Sequence, residues 1–401
     1  MTRIHSTIAA SALITAGLVG SFYSTSSRTQ GLFSALPTDV ASPSDNPTTP
    51  EKVALGRLLF WDPILSGPKD VACATCHHPD FGYAENLDLP IGTGGLGLGA
   101  TRTFAPGSPA RLVKRNSPTV LNTAFNGMTT AGHYTPATAP MFWDSRAKSL
   151  EAQALEPLKA LEEMRGDTYS EDRALATVVA RLNAIPEYRT QFARAFGGRD
   201  AVTEANLGRA IAAYERSLVT ANAPFDRYMR GDTTAMTAQQ IQGMNRFQAI
   251  GCGNCHSGPM FSDFQPHVLA VPDNTRLAAS DAGVNNTYAF RTASLRNLAY
   301  TAPYMHNGVF STLGEVVNFY NRVGGGRGGR GGGRGGGGFR GGTQNPNVSR
   351  DQLDPLVRQL NLRGGRQNDL VAFLGALNDD SFDRTIPDRV PSGLSVGGKV
   401  R

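Results

Sequence analysis

Apolar residues recur three and four positions apart in several stretches of this chain: Glu51 to Phe60, Ser149 to Met164, Ser170 to Leu182, Thr203 to Ala221, Ala238 to Ile250, Leu313 to Tyr320 and Asn368 to Leu377. That spacing lays one apolar stripe along a helix. The first stretch follows Pro50, a residue suited to a helix start. Sustained period-two alternation is nearly absent, so the pattern predicts a mostly α fold with few short strands and long loops.

The N-terminus breaks this pattern. Arg3 precedes an apolar run from Ile8 to Phe22, short for a membrane span and suited to an export signal. Ser24-Thr25-Ser26-Ser27 is not a clean cleavage site, so residues 1–27 read as a signal peptide or an uncleaved N-terminal membrane anchor. Residues 28–50, rich in Ser, Thr and Pro, read as a linker. The remainder is long enough for two or three domains, and 40% hydrophobic content over 401 residues can fill their cores.

All four cysteines fall in two Cys-x-x-Cys-His runs, Cys73-Ala74-Thr75-Cys76-His77 and Cys252-Gly253-Asn254-Cys255-His256. Two thiols three positions apart can form thioethers to one porphyrin, with the following histidine held under the iron. A structural zinc site also uses Cys-x-x-Cys pairs, as paired disulfides could, but zinc does not require histidine after both second cysteines. The motifs therefore predict two covalently bound heme c groups. One cytochrome c-like heme domain spans 51–235 and a second 236–390. Covalent attachment and the export signal together place the protein in the periplasm.

The formal charge of +6 invites a nucleic-acid reading. Four of those charges, Arg327, Arg330, Arg334 and Arg340, sit in the stretch 324–342, which otherwise holds fourteen glycines and Phe339. In an exported cytochrome this is a disordered surface insert of the second domain, and no nucleic-acid partner is expected. Gly92-Thr93-Gly94-Gly95-Leu96-Gly97 satisfies G-x-G-x-x-G, but Gly99, Pro106, Gly107 and Pro109 follow where a dinucleotide site needs a helix. It reads as a loop near the first heme.

Longer motifs surround the two heme sites. Leu55-Gly56-Arg57-Leu58-Leu59-Phe60-Trp61-Asp62-Pro63, Arg115-Asn116-Ser117-Pro118-Thr119-Val120-Leu121-Asn122 and Phe142-Trp143-Asp144-Ser145-Arg146 flank the first. Phe290-Arg291-Thr292-Ala293-Ser294-Leu295-Arg296-Asn297 and Thr301-Ala302-Pro303-Tyr304-Met305-His306-Asn307-Gly308 follow the second. Together these resemble the bacterial diheme cytochrome c peroxidases, a family that includes MauG, over residues 51 to 377.

The resemblance implies an oxidoreductase that uses hydrogen peroxide and forms a high-valent iron state. Its open heme would be bound through Cys73, Cys76 and His77. Glu163 would act there as general acid/base, Gln153 as a hydrogen-bond donor, with Pro157 between them, and Trp143 would relay oxidising equivalents between the hemes. The second heme would be held by Cys252, Cys255 and His256. Its sixth ligand falls at Tyr320, where ordinary peroxidases have methionine and MauG has tyrosine; Met260 and Met305 are alternative ligands. A calcium ion between the hemes would use Asn116, Thr301 and Pro303.

Two departures from the peroxidases shape the expectation. No histidine occurs between His78 and Asn116, where those enzymes carry a removable ligand to the first iron, so that iron is expected to be open; His133 is the one residue that could reach it. MauG's surface tryptophan corresponds to Ile250, so that exit route for oxidising power is missing. The electron source is either a small redox protein, a cytochrome c or cupredoxin, or a residue of a protein substrate. A passive diheme electron-transfer cytochrome is the alternative.

Overall fold

The computed structural model describes residues 31–324, 344–360, 362 and 367–400. The expected signal peptide or anchor at 1–27 and nearly all of the Gly/Arg insert lie outside the described residues. Among the described residues no helix is long and apolar enough to cross a membrane.

The chain is mostly helical. Its α-helices are α1 (Pro50–Trp61), α2 (Cys73–Cys76), α3 (Leu150–Gln153), α4 (Glu156–Lys159), α5 (Ala174–Asn183), α6 (Pro186–Phe196), α7 (Glu204–Ser217), α8 (Pro224–Met229), α9 (Ala238–Ala249), α10 (Leu313–Val323), α11 (Pro355–Arg358) and α12 (Gln367–Gly375). Among the described residues, three antiparallel two-stranded ribbons join them: Gly95–Leu96 with Thr103–Phe104, Pro140–Met141 with Ala147–Lys148, and Pro266–Val268 with Ala289–Arg291.

Six of the seven apolar stretches become helices close to their expected bounds. The exception is 149–164, which breaks into α3, α4 and a π turn at Leu161–Arg165. Pro157 cannot donate a backbone hydrogen bond, so a continuous ladder fails there. The helices α6 and α8 were not evident from periodicity; each begins at a proline, Pro186 and Pro224.

The two halves are built alike. Each Cys-x-x-Cys-His run follows a helix with a glycine at its crossing point: Gly56 of α1 meets α7, and Gly243 of α9 meets α12. A Cβ at Gly56 would lie 2.0 Å from the Ala210 carbonyl oxygen, and one at Gly243 would lie 1.9 Å from that of Asp369. The motifs ending in Asn122 and Asn297 also correspond. Both asparagines adopt positive φ, and both side-chain amides donate to Thr220 Oγ1 at 2.7 Å. Thr220 thus joins the halves at one buried hydroxyl.

Both ends of the described part of the chain cross between the halves. Residues 31–50, expected as a linker, are bound. Phe33 is buried against Phe261 at 5.3 Å between ring centroids, in the core of α9 and α12. Leu36 donates its N–H to Asp226, which also pairs with Arg296. In the opposite direction, residues 379–400 pack on the first half. Phe382 and Val390 join Phe60, Trp61 and Tyr83 in its core. The Thr75 hydroxyl donates to the Gly397 carbonyl at 2.7 Å, and Lys399 N–H to Asp70 at 2.8 Å.

Candidate functional site

One cavity of about 740 Å³ is lined by both Cys-x-x-Cys-His runs. At the first, α2 holds Cys73 and Cys76, and His77 follows as its C-cap. His77 Nδ1 donates to the Tyr83 carbonyl at 3.1 Å, and His256 Nδ1 donates to that of Phe261 at 2.9 Å. These bonds leave each Nε2 available as a ligand. Burial keeps both imidazoles neutral, pulling His77 down to about 4 and His256 in the same direction.

The four thiols form no disulfide. Burial pushes Cys73 and Cys252 up to about 12. Leu150, Ala154 and Ile211 line the first half of the cavity, and Phe247, Val317 and Leu374 the second. Apolar walls, neutral histidines with fixed Nδ1 and unpaired thiols in pairs fit a heme in each half.

Gln153, Pro157 and Glu163 come from three separate short elements, yet all line this cavity. The π turn bearing Glu163 is clamped from outside. Thr93 N–H donates to the Glu163 carbonyl at 3.0 Å, and Gly67 N–H to that of Met164 at 2.7 Å. Arg165 reaches back to the carbonyls of Lys159 and Tyr169 at 2.8 and 2.7 Å. Burial raises the Glu163 carboxyl above its ordinary range, opposed by Arg146. The G-x-G-x-x-G run therefore supports the turn. Arg102, just beyond the run, anchors it by donating to the carbonyls of Ile91, Gly92 and Gly97.

Trp143 lines the cavity from the loop between the second pair of strands, and its Nε1 donates to the Asn116 carbonyl at 2.9 Å. His306 lies edge-on to it at 6.5 Å and stacks on Phe290 at 3.6 Å. Arg291 ties this loop to the second half, with its Nε on the Phe142 carbonyl at 2.8 Å and its N–H on that of Trp143 at 2.7 Å. Asn116, Thr301 and Pro303 also line the cavity. The Asn116 Nδ2 is committed to the Leu87 carbonyl at 2.9 Å.

Tyr320 enters the second half from α10, whose first turn is fixed by a reciprocal cap between Thr312 and Glu315. Val316, Val317 and Tyr320 face the cavity. Burial raises the phenol well above its ordinary range, and the neighbouring Cys252 and Cys255 thiols add to the rise. No hydrogen bond among the described residues occupies its hydroxyl. Met260 and Met305 line the cavity as well.

His133 is exposed and outside the cavity lining, and His78 packs edge-on to Trp61 at 5.5 Å. Two further residues escaped the sequence reading. His267 is held between Asp263 at 2.9 Å and Asp354 at 2.7 Å, and Asp263 above all raises it to about 11. Glu215 is a charged residue on the buried face of α7, an anomaly visible in the apolar stripe itself.

Two motifs sharing one cavity define a diheme oxidoreductase. Residues 50–234 match the family model described as di-haem cytochrome c peroxidase. The methylamine utilization protein MauG of Methylorubrum extorquens is 33% identical over 356 residues, covering 88% of this chain and 85% of that one. Cytochrome-c peroxidase IdrP1 of Pseudomonas sp. (strain SCT) is 32% identical, covering 84% of each. Among solved structures, a MauG-like protein associated with microbial copper homeostasis superposes with a TM-score of 0.65 at 26% identity, covering 86% of this chain and 95% of that one.

The chain belongs to the di-haem cytochrome c peroxidase and MauG family. It is a peroxide-using diheme oxidoreductase, working with a redox partner or a protein substrate.

Proposed function

We propose that the protein is an exported, periplasmic diheme enzyme with two covalently bound heme c groups, attached through Cys73/Cys76 and Cys252/Cys255, in which only the first accepts hydrogen peroxide. The observation that carries this reading is the convergence of Gln153, Pro157 and Glu163 on the cavity half that holds His77. His77 and His256 would hold the two irons, and Tyr320 would close the second site. When bound, the hemes supply the iron centre that accepts peroxide and a second centre that shares the oxidising equivalents.

Glu163, kept protonatable by burial, moves a proton between the peroxide oxygens as their bond breaks, and Gln153 orients the bound peroxide. Pro157 breaks the helix so that both side chains reach one half. Trp143, fixed at the junction by Asn116, relays oxidising equivalents. The Asn116 side chain and the carbonyls of Thr301 and Pro303 hold a calcium ion there, hard oxygen donors suited to it.

A small redox protein, a cytochrome c or cupredoxin, returns the electrons. A second reading, oxidation of a protein substrate as in MauG, is favoured by the placement of Tyr320. The test is stoichiometric peroxide added to the oxidised holoprotein, followed by optical and EPR spectroscopy. Loss of both ferric signals is expected. Unchanged spectra would leave a passive electron-transfer cytochrome.

A further inference from the structure

One acidic wall group of the cavity has no role in the chemistry above. Glu215 lies one turn after Ile211 on α7, and both line the first motif's half. The residue is 4% exposed, and its Oε2 is enclosed without a hydrogen-bond partner. Beside it, Arg216 Nε and Nη1 and Glu151 Oε2 are enclosed in the same condition. Buried polar atoms grouped in this way are satisfied by internal water.

The cluster also leads outward. Arg216 Nη2 donates to Glu151 Oε1 at 2.6 Å, which accepts from Asn46 Nδ2 at 2.8 Å. Asn46 Oδ1 accepts from Lys52 Nζ at 3.0 Å. Next along the chain, Asp45 pairs with Arg209 at the surface at 2.9 Å. Polar groups thus run from solvent, past α1 and α3, to the cavity wall.

Peroxide reduction needs such a supply. H2O2 + 2H+ + 2e− → 2H2O breaks the O–O bond and forms two O–H bonds. The electrons come from the donor redox protein, and the protons must come from outside the cavity. Glu163 transfers a proton already carried by the peroxide and adds none to this balance.

We propose that Glu215, with Arg216 and Glu151, forms the inner end of a hydrated proton path into the peroxide-binding half. The proposal rests on the peroxide-reducing reading above. Glu215 acts through water and is a relay, not a group in contact with peroxide. Burial above all raises its carboxyl to about 8, with Arg216 opposing and Glu151 adding to the rise. It therefore holds a proton at neutral pH that an ordinary carboxyl has lost. The other groups facing the cluster are Lys52 of α1, which sits near Arg216 and Glu151, and Cys73 of α2, which feels Glu215.

The test compares Glu215→Gln holoprotein with the parent in steady-state peroxide reduction across neutral and alkaline pH, in H2O and D2O, with a reduced small cytochrome c as donor. The parent kcat is expected to fall as pH rises through about 8. In the variant, kcat at neutral pH drops about tenfold or more, the limb near 8 disappears, the solvent isotope effect grows, and KM for peroxide is unchanged. Glu215→Asp restores part of the rate. Identical kcat, pH profile and isotope effect in Glu215→Gln overturn the proposal. If that variant fails to fold, Glu151→Gln carries the test, and a parental profile and isotope effect there overturn it equally. A parent that gives no spectral change with peroxide refutes the underlying reading and this inference with it.

Discussion

Gly92→Ala perturbs the proposed acid/base group without touching it. A Cβ at Gly92 would lie 2.2 Å from the carbonyl oxygens of both Glu162 and Glu163. Ordinary carbon–oxygen contact requires each separation to open by about 1 Å. The Glu163 turn cannot yield alone, because Gly67 and Arg165 hold its far side. The Gly92 loop is pinned in turn by Arg102. The strain is therefore shared, and the Thr93 to Glu163 bond at 3.0 Å is stretched or lost. Overpacking of this kind costs about 1–3 kcal/mol of stability. A shift approaching 1 Å at a positioned catalytic group lowers the rate by about a hundredfold. The assay is kcat/KM for peroxide, with heme content measured optically and stability by urea unfolding. A variant that is destabilised yet retains parental kcat/KM would refute the reasoning, since Glu163 would then work without its clamp.

Phe33→Ala should cost about 3–5 kcal/mol in urea unfolding, because its ring is buried in the core of α9 and α12; a linker residue would tolerate the change. Burial works to raise Asp144 and Asp281, but Arg115 outweighs it and holds both carboxyls below their ordinary range. Their contribution is full above the unfolded carboxyl pKa and is lost as pH falls through the lowered folded values. Arg115→Met should thus melt lower at neutral pH and show a weaker acid limb in melting temperature. For calcium, EGTA should slow peroxide turnover of the parent and leave an already slow Asn116→Ala variant unaffected, with elemental analysis showing the lost ion.

The parts that were legible in the sequence are those written locally. Cysteine pairs three apart followed by histidine need no tertiary context, and six of the apolar stretches became helices because each buries its own stripe. The break at Pro157 was legible in principle, but apolar spacing continues through it and favoured one helix. The role of 92–97 was hidden for a different reason. Its first glycine, Gly92, serves a close approach to residues 162 and 163, about seventy positions away, so a local motif could only mislead. The segments 31–50 and 379–400 are Pro- and Ser-containing and aperiodic. What fixes them is a partner on the far half of the chain, such as Asp226 for Leu36 and Thr75 for Gly397.

That last pairing orders events in time. Synthesis proceeds from the N-terminus, so Cys73 and Cys76 emerge well before the residues that enclose them. The seal over their turn comes from Gly397, Gly398 and Lys399, with Gly397 lying 322 residues beyond Thr75. The first pair of thiols to appear is thus shut in only after that long interval of chain has been made, and stays open to a heme until then.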